Sequence, residues 1–475
     1  MIGIYLPGAF IIGGLLFFNR NKTVNTALII AFLVLQWVFT VYEYRHMNIT
    51  EFTYFKPDSL ALLLLITLSI ISIPAAYHSH IYVTEKKDTP RNIAIYFAAM
   101  VILLTTLSAA YLSNHIAVTW IFIEMTTLSA SALIYHRRNK RSLEGTWKYV
   151  FVCAISITFV FIGILFLSFA LQQRGGNSLG FDSLLSNAAS INLFWSRLAF
   201  IFIFTGLTAK LSLVPMYTAG IDAKDKAPSP AGALFASVLM NVGFVGFFRI
   251  YIVFANTPLH SWTNHVILIA ALLSVFVATV YMVKVKNIKR MLAYSSIEHM
   301  GLIMLGIAAG GIGYYAAILH LILHSFIKSS IFFQVGQVYR IYKSKSIYDV
   351  GNYFKYNLTG AIVMLLCFIW VTAMPPSGLF ISELMIFRAL FQAHYLVVMA
   401  VVMFLLTVII WAFGKNIFKL LFAAPVEFDD SDVAKISPIE SLSQFIFLGL
   451  IVYLGINPPV EFVKLIEETI KNLPQ

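Results

Sequence analysis

Several ionisable side chains sit where hydrocarbon should be. Glu124 lies in the middle of WIFIEMTTLSASALI, with no basic neighbour one turn away, and Lys210 lies in the middle of IFIFTGLTAKLSLVP. A charge at the centre of a membrane helix costs roughly 2.5–3.5 kcal/mol on insertion scales, so such a residue calls for a function or a partner. The bland alternative for both is a structural ion pair. Desolvation disfavours an ammonium and a nearby carboxylate restores it. A Glu–Lys pair whose separation varies is therefore a proton switch. His320, His324 and Lys328 in AAILHLILHSFIKSSIFF recur every four residues. That spacing places them on one face of one helix over about 12 Å. Imidazole accepts at one nitrogen and donates at the other near physiological pH, so the stripe resembles a wire. A lone histidine would read as a packing residue hydrogen-bonded to a neighbouring helix; three ionisable groups in register favour transfer.

Glu383 follows the stretch TAMPPSGLFISELM and is the candidate terminal gate. Glu298 and His299 in YSSIEHMG form either a polar site nearer the cytoplasmic half or a buried structural network. Lys56 and Asp58 precede an apolar run and read as interfacial, where long side chains reach the headgroups. Lys289 and Arg290 open another run and read as a topology signal. His320 and His324 stand at a metal-ligand spacing, but no third ligand is evident from the sequence.

Two apolar runs are broken beside these charges. One has Pro215 just after Lys210; the other has Pro375, Pro376 and Gly378 just before Glu383. Proline removes an amide donor and clashes with the preceding turn. Paired interruptions in two halves of a transporter point to inverted repeats with ion sites near the midplane.

The elements that must position these residues are membrane helices. Hydrophobic residues make up 60% of the 475-residue chain and charged residues 11%, far below the soluble norm of about 25% charged. Apolar runs near 20 residues recur from end to end, and each spans a core of about 30 Å as a helix. They are too long and too continuously apolar for barrel strands. The spans are expected near 2–18, 24–43, 59–78, 92–112, 116–135, 148–171, 197–218, 230–254, 264–283, 290–309, 312–338, 359–391, 394–421 and 437–456. The first lacks a basic n-region and an A-x-A site and reads as a retained span. The tail PPVEFVKLIEETIKNLP reads as a short amphipathic helix on the membrane surface, or as an ordinary cap on the last span. The expected organisation is N-terminal helices over 1–91, one repeat over 92–254, a second over 255–421, and the last span with its tail helix over 422–475.

Basic residues alternate between connections. Arg20 and Lys22, then Lys86, Lys87 and Arg91, then Arg137, Arg138, Lys140 and Arg141 form one set. The set continues with Lys224 and Lys226, with Lys284 to Arg290, with Arg340, Lys343 and Lys345, and with Lys415 and Lys419. The positive-inside rule puts this set in the cytoplasm and both termini on the other side. The same rule explains the net charge of +12 better than nucleic-acid binding does. Cys153 and Cys367 are the only cysteines, both in apolar runs. No CxxC or Cys/His cluster, Gly-rich phosphate loop or Gly-x-Ser-x-Gly elbow occurs, so nothing signals a redox centre or a cofactor.

At these residues the chain resembles the antiporter-like subunits shared by respiratory complex I, Mrp cation/proton antiporters and group 4 membrane-bound hydrogenases. The resemblance covers nearly the whole chain and is strongest from about 95 to 390. It implies a Glu on the fifth span, matched by Glu124 in FIEMTTLSA, and a Lys on the broken seventh span, matched by Lys210 in TAKLSLVPM. DAKDKAPSPAGAL and NIKRMLAYSSIEHMG fit the family pattern, as do His320, His324 and Lys328; Glu383 takes the Lys-or-Glu position of the broken twelfth span. SSIEHMG and the compact C-terminus are most similar to the hydrogenase-4 or formate-hydrogenlyase F-type subunit. Relatives often carry Lys or His on the eighth span, where ASVLMNVGFVGFFR has Asn241, leaving the centre of the relay to water or to Glu298.

The resemblance implies a proton- or sodium-translocating, non-catalytic subunit of a redox-driven complex in a prokaryotic cytoplasmic membrane. Other membrane subunits and a peripheral redox arm would be its partners and would hold the metal and iron–sulfur centres. A stand-alone or Mrp-like antiporter, an energising subunit of inorganic-carbon uptake, and a scaffold with degenerate charges are the competing functions. The intact Glu–Lys–His–Glu set argues against the scaffold.

Overall fold

A backbone in lipid must satisfy its own hydrogen bonds, and helices do so within each segment. The structure, a computed structural model, describes residues 1–85, 88–172, 178–425, 428 and 433–474. Lys86 and Lys87 of the basic set lie outside the described residues. The helices are α1 (Ile2–Phe18), α2 (Lys22–Arg45), α3 (Ser59–Glu85), α4 (Pro90–Leu112), α5 (Ile116–Ile134), α6 (Lys140–Gln172), α7 (Phe181–Ser186), α8 (Leu193–Leu211), α9 (Thr218–Lys226) and α10 (Ser229–Ala236). They continue as α11 (Val238–Ala255), α12 (His260–Lys284), α13 (Ile288–Ala309), α14 (Ile312–Tyr342), α15 (Tyr353–Tyr356), α16 (Leu358–Val371), α17 (Gly378–Gln392), α18 (Leu396–Phe422), α19 (Leu442–Ile456) and α20 (Val460–Ile470).

Twelve of the described helical segments are long and apolar enough to cross a membrane, α10 and α11 counting as one. The 17-residue α1 and the interrupted pair α16/α17 bring the count to the fourteen spans the sequence implies. The chain is an all-α, multi-pass membrane protein. Helix starts are set by short polar side chains that accept from free amides of the first turn. Asn21 caps α2, Thr89 caps α4 ahead of Pro90, Asn192 caps α8, Asn287 caps α13 and Ser377 caps α17.

The chain forms two compact units. Residues 1–231, 238–266 and 464–475 make the first; residues 232–237 and 267–463 make the second. In the first, α6 and α8 approach through glycine: a Cβ at Gly206 would lie 2.4 Å from the Ser156 carbonyl oxygen. Small residues let backbones meet where lipid supplies no hydrophobic drive between helices. Also in this unit, the C-terminal half of α20 buries Leu465, Ile466 and Thr469, and Glu468 accepts a 2.7 Å hydrogen bond from Ser59. In the second unit α13 and α14 are buried along their whole apolar length. There α17 meets α19 at Gly378, whose Cβ would fall 2.2 Å from the Ile451 carbonyl oxygen.

The two breaks share one geometry. Ser212 (φ 56°) and Ala373 (φ 49°) are left-handed. The next amide in each case reaches back five residues, Leu213 N to Thr208 O at 2.9 Å and Met374 N to Ile369 O at 3.0 Å. This is the helix-ending pattern that satisfies carbonyls left over at a C-terminus. A cis proline follows three residues after each left-handed residue, at Pro215 and at Pro376.

Candidate proton-relay sites

In the first unit the break puts Lys210 in the last turn of α8, where helix carbonyls favour a cation. Its side chain is 7% exposed. The ammonium donates to Thr127 Oγ1 at 2.8 Å, Tyr149 Oη at 3.1 Å and Thr126 Oγ1 at 3.2 Å. It also stands 5.4 Å from the centre of the Tyr149 ring, a favourable cation–π distance. Glu124 enters through the same hydroxyl: Thr127 Oγ1 lies 3.2 Å from Glu124 Oε2. Glu124 and Thr127 are three apart on α5 and share a face. The structure thus brings Glu124 and Lys210 together through one hydroxyl bridge. Gly243 on α11 closes the back of this site, since a Cβ there would lie 2.8 Å from Lys210 Cβ. Asn241, two residues before it, is fully buried in the same unit.

Lys224 belongs to this unit as well, and not to an exposed basic connection as the charge pattern implies. It is 1% exposed, with its ammonium 3.4 Å from Ser212 Oγ and 3.1 Å from Met240 Sδ. The break turns α9 back against the protein, which buries this lysine; Lys226 is instead paired with Asp225 at 2.8 Å.

In the second unit the histidine stripe is not a wire along α14 alone. His299 of α13 inserts between its rungs, with its ring centre 5.2 Å from those of both His320 and His324. His299 Nδ1 and His320 Nε2 share a 3.0 Å hydrogen bond, and His320 Nδ1 pairs with Ser382 Oγ at 2.9 Å. Ser382 brings its neighbour Glu383 with it, and a Glu383 carboxylate oxygen lies within 4.8 Å of donor nitrogens of His299 and His320. Glu298 Oε2 is 3.7 Å from the other His299 nitrogen. Lys328 donates to Ser295 and to the Leu292 carbonyl at 3.4 Å, and its electrostatic partner is Glu298. All of these side chains except Glu383 are buried, and Glu298 and Glu383 line one cavity of about 20 Å³. That is room for about one water molecule.

Besides the burial of Lys224 and the insertion of His299, sequence reasoning missed three features. Thr127 carries no charge and is common in helices; its signal is the i, i+3 offset from Glu124. Lys289, read as a surface topology signal, is fully buried at the start of α13. Asp58, read as interfacial, pairs with Arg249 of α11 at 2.8 Å, and Arg249 is 5% exposed. This pair lines a polar cleft of about 200 Å³ with Lys56, Asn114, Asp182 and Glu468. Burial pushes the Asp182 carboxyl up. The hydrogen bonds from Asn114 and Lys56 and the charges of Lys56 and Arg249 outweigh it and hold the group below the ordinary aspartate range.

Residues 113–409 match the family described as NADH:quinone oxidoreductase/Mrp antiporter, transmembrane. The chain is 28% identical over 377 residues to the hydrogenase-4 component F homolog of Methylacidiphilum infernorum, covering 78% of each chain. It is 23% identical to NADH-quinone oxidoreductase subunit M of Rickettsia prowazekii, covering 83% of this chain and 82% of that one. Its fold matches a chain of an archaeal membrane-bound sulfane sulfur reductase with a TM-score of 0.87 at 20% identity, over 99% of this chain and 97% of the other. A chain of the Mrp complex from Dietzia sp. superposes with a TM-score of 0.85 at 15% identity, with the same coverage.

Proposed function

Because the chain belongs to the NADH:quinone oxidoreductase/Mrp antiporter membrane family, we propose that it is a proton-translocating subunit of a redox-driven membrane complex of the hydrogenase-4 or complex I kind. The observation that carries this is the bridge Lys210–Thr127–Glu124. A lysine N–H donates to the hydroxyl oxygen and the hydroxyl O–H donates to the carboxylate. When the ammonium gives its proton to Thr127 Oγ1, the proton already on that oxygen passes to Glu124. The products are a neutral amine and a neutral carboxyl, with the hydroxyl regenerated. No unpaired charge is left in hydrocarbon at either end of the step, which removes most of its desolvation cost. The reverse step recharges the pair.

The second unit supports the same chemistry with different groups. His299, His320 and the Ser382 hydroxyl form a hydrogen-bonded chain, with the Glu298 carboxylate 3.7 Å and the Glu383 carboxylate within 4.8 Å of its imidazole nitrogens. Lys328 sets the local field through Glu298. The redox centres belong to partner subunits, a membrane set and a peripheral arm, and this chain moves the ion. The alternating basic connections support a place in the prokaryotic cytoplasmic membrane with both termini on the non-cytoplasmic side. A separate secondary antiporter has no particular contact in its favour.

The test is Lys210→Met in the complex purified from its native membrane and sealed into vesicles. Partner subunits should still co-purify, and proton uptake driven by the redox reaction should disappear. Normal pumping by that variant would make Lys210 structural and end the bridge mechanism. A gradient that follows sodium and survives a protonophore would move the assignment to sodium.

A further inference from the structure

We propose that His299, His320 and Glu383 form a binding site for a divalent transition-metal ion of the zinc class. The two imidazole nitrogens and the carboxylate oxygen come from three helices, α13, α14 and α17, and all lie within 4.8 Å of one another. His299 Nδ1 and His320 Nε2 are 3.0 Å apart. Two nitrogens bound to tetrahedral zinc at about 2.0–2.1 Å stand roughly 3.3 Å apart, so the pair needs only a few tenths of an ångström of opening. Two imidazoles and one carboxylate are a ligand set zinc accepts, with a water in the fourth position. Glu383 also lines a cavity of about 20 Å³, room for about one water molecule on the carboxylate side of the site.

A metal-ligating histidine is usually oriented through its second nitrogen. The far nitrogen of His320 is hydrogen-bonded, which fixes that ring and its tautomer, while the far nitrogen of His299 has a carboxylate nearby but no hydrogen bond. His320 Nδ1 is held by Ser382 Oγ at 2.9 Å, and the second His299 nitrogen faces Glu298 at 3.7 Å. His324 is near His299 by ring contact but belongs to no triad of donors among the described residues. Binding displaces the proton shared by His299 and His320 from between the rings, because each ring then spends that lone pair on the metal. The proton moves to His299 Nε2, which faces Glu298, so both imidazoles stay neutral and the ion enters as a dication. One consequence rests on the proton-relay function proposed above: a metal held there replaces the mobile proton and stops transfer through the second unit.

The full-length chain, purified in detergent and stripped with chelator, is titrated with Co²⁺ as a spectroscopic stand-in for zinc. One equivalent should develop visible ligand-field bands of a four-coordinate site. His299→Gln/His320→Gln should abolish the bands and Glu383→Gln should weaken binding at least about tenfold, while His324→Gln keeps them. Zinc absorption-edge scattering on the unmutated chain should fit two imidazoles and oxygen, a readout independent of how any variant folds. No visible bands, bands that survive loss of both histidines or vanish with His324→Gln, or a zinc shell with sulfur or fewer than two imidazoles would overturn the site. Zn²⁺ added to the sealed complex should slow proton uptake at the concentration that fills the site. A filled site with undiminished uptake would keep the metal site and remove these three residues from the proton path.

Discussion

The Lys210 ammonium and the Thr127 hydroxyl are 2.8 Å apart, and the same hydroxyl is 3.2 Å from Glu124. The two charges of the first unit therefore communicate through a neutral group. Thr126 and Tyr149 anchor the ammonium, while Thr127 connects it to Glu124.

Thr127→Val keeps the shape of the side chain and removes the bridge. Loss of a buried hydrogen bond costs about 1–3 kcal/mol, so proton uptake by the sealed complex should fall by roughly 5- to 160-fold. Thr127→Ser should restore it, since the hydroxyl returns. Wild-type uptake in the valine variant would show that Glu124 and Lys210 exchange protons by another route.

Glu383→Gln preserves the volume of the side chain and removes its proton. Redox turnover in the partner subunits should stay measurable while its coupling to proton movement weakens. The ratio of protons moved to electrons transferred is the deciding quantity. An unchanged ratio would send the path out through Glu298.

Gly378 and Gly449 provide a matched pair in the second unit. A Cβ at Gly378 would meet the Ile451 carbonyl oxygen at 2.2 Å, whereas nothing lies within 4 Å of one at Gly449. Gly378→Ala must push α17 and α19 apart, at a cost of about 1–3 kcal/mol. Gly449→Ala should be neutral or stabilise by up to about 1 kcal/mol through helix propensity. Thermal unfolding in detergent compares them directly; equal midpoints would mean that the helices do not meet at Gly378.

His115 caps α5 from the short connection after α4, accepting from Ala117 N at 3.3 Å. Burial holds its imidazole below the ordinary value of 6.5. The folded protein thus binds fewer protons at this site than the unfolded chain does. Its contribution to stability is complete above the ordinary imidazole value and is lost as pH falls through the lowered folded value. A drop in unfolding temperature between pH 7.5 and pH 5 should shrink in His115→Asn, because asparagine caps helices without titrating. An identical drop in both proteins would place the pH sensitivity elsewhere.

Much of this was visible in the residues alone. Glu124, Lys210, His320, His324, Lys328 and Glu383 stand out because charge is expensive in hydrocarbon, and both breaks stand out because proline ends helices. Periodicity tells which residues share a face but not which neighbour that face meets. Hence the stripe on α14 was legible while the insertion of His299 from α13 was not. The burial of Lys224 and Lys289 was hidden for the converse reason: both adjoin connections, and a lysine there reads as a solvated charge until the fold covers it.

The two sites differ in how they are insulated. α13 and α14, which carry His299, His320, His324 and Lys328, are covered along their whole apolar length by the rest of the chain. α5 and α6, which carry Glu124, Thr127 and Tyr149, are covered over only 44% and 33% of theirs, and Glu124 itself is partly exposed. Glu383 on α17 is partly exposed as well, so each site reaches the boundary of the chain through one carboxylate while its lysine and histidines stay covered. Lipid or an adjoining subunit at that boundary should act on Glu124 and Glu383 first, so bilayer thickness and headgroup charge should shift proton exchange at the carboxylates and leave the covered bases to their own chain.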